Sequence, residues 1–176
     1  MRIDEIAKSN VVVYHGSLTR FTHFDLSFSG KGHDVNGPGI YFTSIKDDAL
    51  LYGKYLITAT LHLNKIITPT KRPNKQIIEK MITMSPDKDD VLLNYDENPY
   101  TAFRNAVYGY MNMNAKEAYE SVWYDFYQDK NKLYCDNMAS LGYDAVKVEV
   151  NGGYHYIVLN LASIDITHYQ HFPKEK

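Results

Sequence analysis

The stretch GPGIYFTSIKDDALLYGKYLITATLHL, Gly37 to Leu63, decides how this chain is read. Two glycines and a proline lead into the short apolar segment Gly39–Thr43, which reads as a strand. Ser44 follows as an expected N-cap with Asp47 three residues on, a capping-box variant, so a helix is expected from there until Gly53 ends it. Tyr52 then sits about two turns into that helix. From Tyr55 the residues alternate: Ile57, Ala59, Leu61 and Leu63 share one face, and Thr58, Thr60 and His62 share the other, which reads as a half-buried strand. Strand, helix and strand in quick succession place Tyr41 and Tyr52 on two elements that pack together.

Working outward, the run VVVYHGS upstream is a β-branched strand ending near His15, with a short helix expected before it at about Arg2–Lys8. The intervening Leu26–Pro38 holds Gly30, Gly32 and Gly37, and so reads as a long loop, a length that points to a functional role. Downstream, about 74–141 is helical in pattern. KQIIEKMITM, PYTAFRNAVYGYM (with Pro99 suited to a first turn), AKEAYESVWYDFY and KLYCDNMASLG are the four segments, and Tyr119, Trp123 and Tyr127 recur at helical spacing as a core stripe. YDAVKVEV, the turn NGG and YHYIVLN form a β-hairpin, and SIDIT is a last strand. Strands at both ends with helices between them give an α+β class and one domain over 1–176.

Composition narrows the function classes. The chain has 176 residues, 44% of them hydrophobic and 23% charged, which is enough for a core. No apolar run reaches the length of a membrane helix, and the first residues lack a secretory h-region. The single cysteine, Cys135, rules out an internal disulfide, and the expectation is a cytoplasmic protein with no membrane partner. Net charge is −2, which argues against a large nucleic-acid footprint while leaving a local basic patch open. Seven histidines and one cysteine show no metal-ligand spacing, so no metal is expected. SFSGKGHD, Ser27–Asp34, is glycine-rich and basic but is no phosphate-binding loop of the strand–helix kind. The 16 tyrosines suit ligand pockets and packed interfaces alike.

Two constellations carry possible chemistry. His15-Gly16-Ser17 closes a buried strand, where glycine lets a ligand approach the backbone. Tyr41 and Tyr52 are either two core aromatics or two walls of a slot for a planar guest, which a positive charge on that guest would favour.

Together, YHGS, GPGIYFTSIKDDALLYG and GYDAVKVEVNGGYHYIVLNLASIDI follow in order the signature segments of ADP-ribosyltransferases. The resemblance is to the diphtheria-toxin and poly(ADP-ribose) polymerase branch with its His-Tyr-Glu signature, and to small domains carried by phages and mobile elements. It implies a split mixed β-sheet around an NAD cleft, here with a helical insertion at about 74–141. It also implies NAD as co-substrate, a macromolecular acceptor, protein first, and a toxin-like effector in the cytoplasm of a host cell. By the same resemblance His15 bonds the adenosine ribose, the Gly16 backbone grips the nicotinamide carboxamide with Ser17 assisting, and Tyr41 and Tyr52 sandwich the nicotinamide ring.

The chain departs from that branch on the final hairpin, where His155 stands in the place of the catalytic glutamate. Histidine offers no fixed anion there, though it can accept a hydrogen bond or act as a base. Glu149 on the partner strand is the candidate substitute. With a three-residue loop it would face His155; with a two-residue turn it falls on the other face. Tyr41, His155 and Glu149 are thus the catalytic candidates for a mono-ADP-ribosyltransferase. The rivals are a non-catalytic module of the same fold and an RNA 2′-phosphotransferase-like enzyme, which would need convergent basic residues; Lys31, Lys54 and Lys71 are scattered.

Overall fold

The computed structural model describes residues 9–29 and 36–172. The helix expected at Arg2–Lys8 and the middle of the glycine-rich loop lie outside the described residues. Among the described residues, seven strands form one mixed sheet in the order β4-β5-β6-β2-β1-β3-β7. They are β1 (Ser9–Ser17), β2 (Ile40–Thr43), β3 (Tyr55–Leu63), β4 (Ile66–Ile67), β5 (Ala145–Val150), β6 (Gly153–Val158) and β7 (Ile164–His171). The alternation in β3 is observed, with Ile57, Ala59, Leu61 and Leu63 all buried and His62 exposed. Its nine residues pair antiparallel with all nine of β1, and β7 covers its other edge. β4, too short to leave a periodic trace in the sequence, runs parallel to β5.

The join between β2 and β1 is the feature that matters for function. Those neighbours pair at one position only, Tyr14 with Thr43. The sheet is therefore two laddered halves, β4-β5-β6-β2 and β1-β3-β7, joined at its centre by that one pairing.

Between β4 and β5 the chain forms α2 (Lys75–Met84), α3 (Lys88–Leu92), α4 (Pro99–Met111), α5 (Ala115–Phe126) and α6 (Asn131–Ser140). Three of these starts, those of α2, α4 and α5, are set by side chains that satisfy the free N–H groups of a first turn. Asn74 caps α2, Asn98 caps α4 ahead of Pro99, and Asn114 with Glu117 forms a reciprocal box on α5. One buried cluster joins Val13, Phe42, Ala59 and Tyr156 of the sheet to Ile78, Met81, Val122 and Met138 of the helices.

Several of the tyrosines are accounted for here, because their buried hydroxyls find partners. Tyr127 donates to the Met81 carbonyl at 2.7 Å, Tyr134 to the Tyr119 carbonyl at 2.9 Å, and Tyr119 and Tyr143 meet hydroxyl to hydroxyl at 3.1 Å. Tyr110 donates to Asp125 at 2.6 Å, and burial with that carboxylate holds its phenol well above the ordinary range. Trp123 of the expected stripe is only partly buried, its Nε1 donating to Asn131 at 2.7 Å.

Two local expectations need correction. The helix after β2, α1, is short, Lys46–Leu50, and its N-cap position is Ile45, with no side-chain cap. Ser44 is instead spent on the neighbouring strand, where its Oγ accepts from Tyr154 N at 2.8 Å while its own N–H donates to the Tyr154 carbonyl at 2.9 Å. Tyr52 accordingly lies just past the helix, in the turn closed by its N–H on the Ala49 carbonyl.

Candidate active site at the split of the sheet

A cavity of about 710 Å³ opens where β1 and β2 part. It is lined by His15, Gly16, Ser17, Tyr41, Tyr52 and His155, so six of the seven residues singled out from the sequence come together. Glu149 does not. The hairpin closes with a two-residue turn, Val150 opposite Gly153, which sets Val148 against His155 and Glu149 against Tyr154. Facing residues of an antiparallel pair share a face and the next pair takes the other. Glu149 is thus exposed on the side away from His155.

The position of α1 over the end of β1 depends on two glycines. A Cβ on Gly16 would lie 1.7 Å from the Ala49 carbonyl oxygen, and one on Gly53 would lie 2.1 Å from the Ser17 backbone. The Ala49 carbonyl fills the space that a Gly16 side chain would take, and Gly16 itself lines the cavity. The close packing carries Asp48, Ala49 and Tyr52 to the cavity wall. Asp48 and Tyr52 are four residues apart, the spacing that stacks side chains on one side of a helical turn.

His15 is held in one state. Its Nδ1 lies 2.7 Å from the Tyr41 carbonyl oxygen, which only accepts, so the proton sits on Nδ1 and the lone pair on Nε2. Phe24, Phe42 and Phe21 surround the ring, with centroids at 5.1, 5.6 and 5.9 Å. Burial lowers the imidazole pKa, against a smaller opposing contribution from the Tyr41 bond. The ring is therefore a neutral tie across the split between the half-sheets.

The Tyr41 hydroxyl donates to the Gly37 carbonyl at 2.7 Å and accepts from Asn36 N at 3.0 Å, which fixes the half-buried ring against the end of the glycine loop. Tyr52 stands at the rim, 63% exposed. The Ser17 hydroxyl closes its own turn, donating to the Thr19 carbonyl at 2.8 Å and accepting from Thr19 N at 3.2 Å.

Sequence reasoning missed Asp48. Its Oδ2 lies 2.8 Å from His155 Nε2, with both side chains about a quarter exposed (26% and 23%). The signal was the spacing to Tyr52, obscured because Asp47 drew attention as a capping residue. Asp144, expected to serve turn chemistry, is buried and accepts from Asn64 N at 2.7 Å, Lys65 N at 3.1 Å and Asn160 Nδ2 at 3.0 Å. It holds the β3–β4 turn to the end of β6 and takes no part in the cavity.

Among the described residues, no group of three or more His, Cys, Asp or Glu side chains is placed to hold a metal ion. No helix among them is long and apolar enough to cross a membrane.

Comparison with curated proteins gives no match. Among solved structures, one described as the crystal structure of an anti-CRISPR protein aligns over 93% of this chain and 99% of that chain, with 16% identity and a TM-score of 0.41. The model of the family described as ADP-ribosyltransferase in polyvalent proteins matches residues 9–163, and the chain belongs to that family.

Proposed function

We propose that this chain is a mono-ADP-ribosyltransferase that cleaves NAD and transfers ADP-ribose to a macromolecular acceptor, a protein. The observation that carries this reading is the convergence of His15, Gly16, Ser17, Tyr41 and Tyr52, drawn from β1, β2 and the turn after α1, on one cavity. Its volume falls within the range of small-molecule sites, about 300–1,000 Å³. Tyr41 and Tyr52 hold the nicotinamide ring, whose positive charge suits aromatic faces. His15, with its lone pair on Nε2, accepts a hydrogen bond from a ribose hydroxyl. Fixing the leaving group and the ribose orients the glycosidic bond, which breaks through an oxocarbenium-like state.

The position of His155 in place of a glutamate argues for single transfer rather than polymer synthesis. It also favours the second reading, a module that binds NAD without turnover. The phosphotransferase-like alternative gains nothing from the described cavity wall, which includes no lysine or arginine.

Incubation with labelled NAD and a cell lysate, followed by mass spectrometry of labelled species, tests the proposal. Released nicotinamide with a labelled protein supports it. NAD binding without nicotinamide release favours the non-catalytic module, and no binding at all overturns the assignment.

A further inference from the structure

The two nitrogens of His155 are in different situations. Nε2 lies 2.8 Å from Asp48 Oδ2, and a carboxylate only accepts, so Nε2 carries the proton. Nδ1 is left with the lone pair, and among the described residues it has no protein hydrogen-bond partner. His155 and Asp48 both line the cavity that holds Tyr41 and Tyr52. Asp48 is itself fixed, because α1 is seated on β1 at Gly16 and Gly53 with no room to shift inward. A base whose ring is oriented by a carboxylate is the arrangement that activates hydroxyl nucleophiles.

We propose that Asp48 and His155 form a dyad that removes the proton from a neutral hydroxyl acceptor, which makes hydroxyl groups the acceptor class of this enzyme. The inference rests on the NAD-cleaving reading above. A carboxylate acceptor is already ionised at neutral pH and needs no base, whereas a hydroxyl keeps its proton and is a weak nucleophile until a base takes it. In the step, the bond between ribose C1′ and the nicotinamide nitrogen breaks, and its electron pair leaves with nicotinamide. The acceptor oxygen bonds to C1′, its proton passes to His155 Nδ1, and Asp48 offsets the resulting imidazolium charge. His155 is the catalytic residue and Asp48 the positioning residue.

The test uses nucleophiles that differ in their need for a base. The whole chain is given NAD with either methanol, which must lose a proton, or azide, an anion that need not. Nicotinamide release and the ADP-ribosyl products are then measured for wild type, Asp48→Asn and His155→Gln, with thermal melts and NAD titration to confirm folding and binding. Loss of a general base lowers the rate by roughly 10²–10⁴-fold. The expected result is a drop of about that size in methanol transfer for His155→Gln, a smaller drop in the same direction for Asp48→Asn, and far smaller losses with azide. Added imidazole restores methanol transfer to His155→Ala. Equal losses with methanol and azide in folded, NAD-binding variants overturn the dyad while leaving the NAD-cleaving reading intact. No nicotinamide release by wild type with either nucleophile overturns both.

Discussion

Substituting alanine for Gly16 adds one methyl group at a point where the structure has no room for it. The new Cβ would sit 1.7 Å from the Ala49 carbonyl oxygen, and that neighbour is backbone, unable to swing aside. Either β1 bends away or α1 lifts. Overpacking of this kind costs about 1–3 kcal/mol, and a backbone obstacle puts the cost at the upper end. For a chain of this size about 3 kcal/mol corresponds to a fall in Tm of roughly 6–12 °C. Since Asp48 and Tyr52 ride on the displaced turn, NAD affinity should fall with stability. Gly109 is the internal control: it lies inside α4 and a Cβ there meets nothing within 4 Å. Alanine at that position should stabilise the helix by about 0.5–1 kcal/mol. Thermal and denaturant melts of both variants, with calorimetric titration of NAD, measure the contrast. A Gly16→Ala protein that melts with wild type, or both variants shifting the same way, would refute the argument that glycine here is a packing requirement.

Tyr41→Ala should weaken NAD binding about tenfold, the loss of one stacking wall, whereas Tyr41→Phe should keep the affinity and cost about 1 kcal/mol of stability through its lost hydroxyl bonds; titration and melts separate the two. Trp123→Ala should leave NAD affinity unchanged and cost about 2 kcal/mol, below the 3–5 expected of a fully buried aromatic. Asp144→Ala strands three donors and should cost about 3 kcal/mol in denaturant melts. The His15 pKa is lowered in the folded state, so below the ordinary histidine value of about 6.5 the unfolded chain binds the extra proton first. Stability is therefore complete above that value and declines as pH falls, levelling off below the folded pKa; a His15→Gln protein whose pH–stability curve matches wild type between pH 4 and 7 would refute this.

The sequence was most readable where structure is local. The alternation of β3 and the stripe containing Tyr119 and Tyr127 each report a period that neighbours alone impose, and Pro99 marks the start of α4 by its own backbone chemistry. It was less readable where two distant segments decide. The start of α1 turned on Ser44, and Ser44 is claimed by Tyr154, 110 residues away. The face taken by Glu149 hung on one residue of turn length, which the run Asn151-Gly152-Gly153 leaves ambiguous; the structure takes the left-handed residue at Gly152, φ +82°. The resemblance of three short segments brought His15, Tyr41, Tyr52 and His155 to attention, but a family pattern has no slot for a partner that the family does not need. Asp48, 107 residues from the ring it touches, was passed over for that reason, and because its neighbour Asp47 read as the capping residue.

The geometry also dictates how the site must be dissected. The half-sheets are held across the split by the one backbone pairing of Tyr14 with Thr43 and by the His15 bond to the Tyr41 carbonyl. A further link runs from β6 through His155 to Asp48 on α1, which in turn is seated on β1. His15 and His155 therefore set the width of the slot as well as facing it. Deleting either ring outright would loosen the wall and the chemistry together, and a loss of activity would not say which had failed. Glutamine is the informative replacement at both positions, because its amide can still donate to the Tyr41 carbonyl or to the Asp48 carboxylate while it cannot serve as a base. If His155→Gln binds NAD as wild type does yet loses transfer to a hydroxyl, the defect is chemical. If it loses NAD affinity as well, with the bond to Asp48 kept, the imidazole ring is itself part of the wall that the ligand requires.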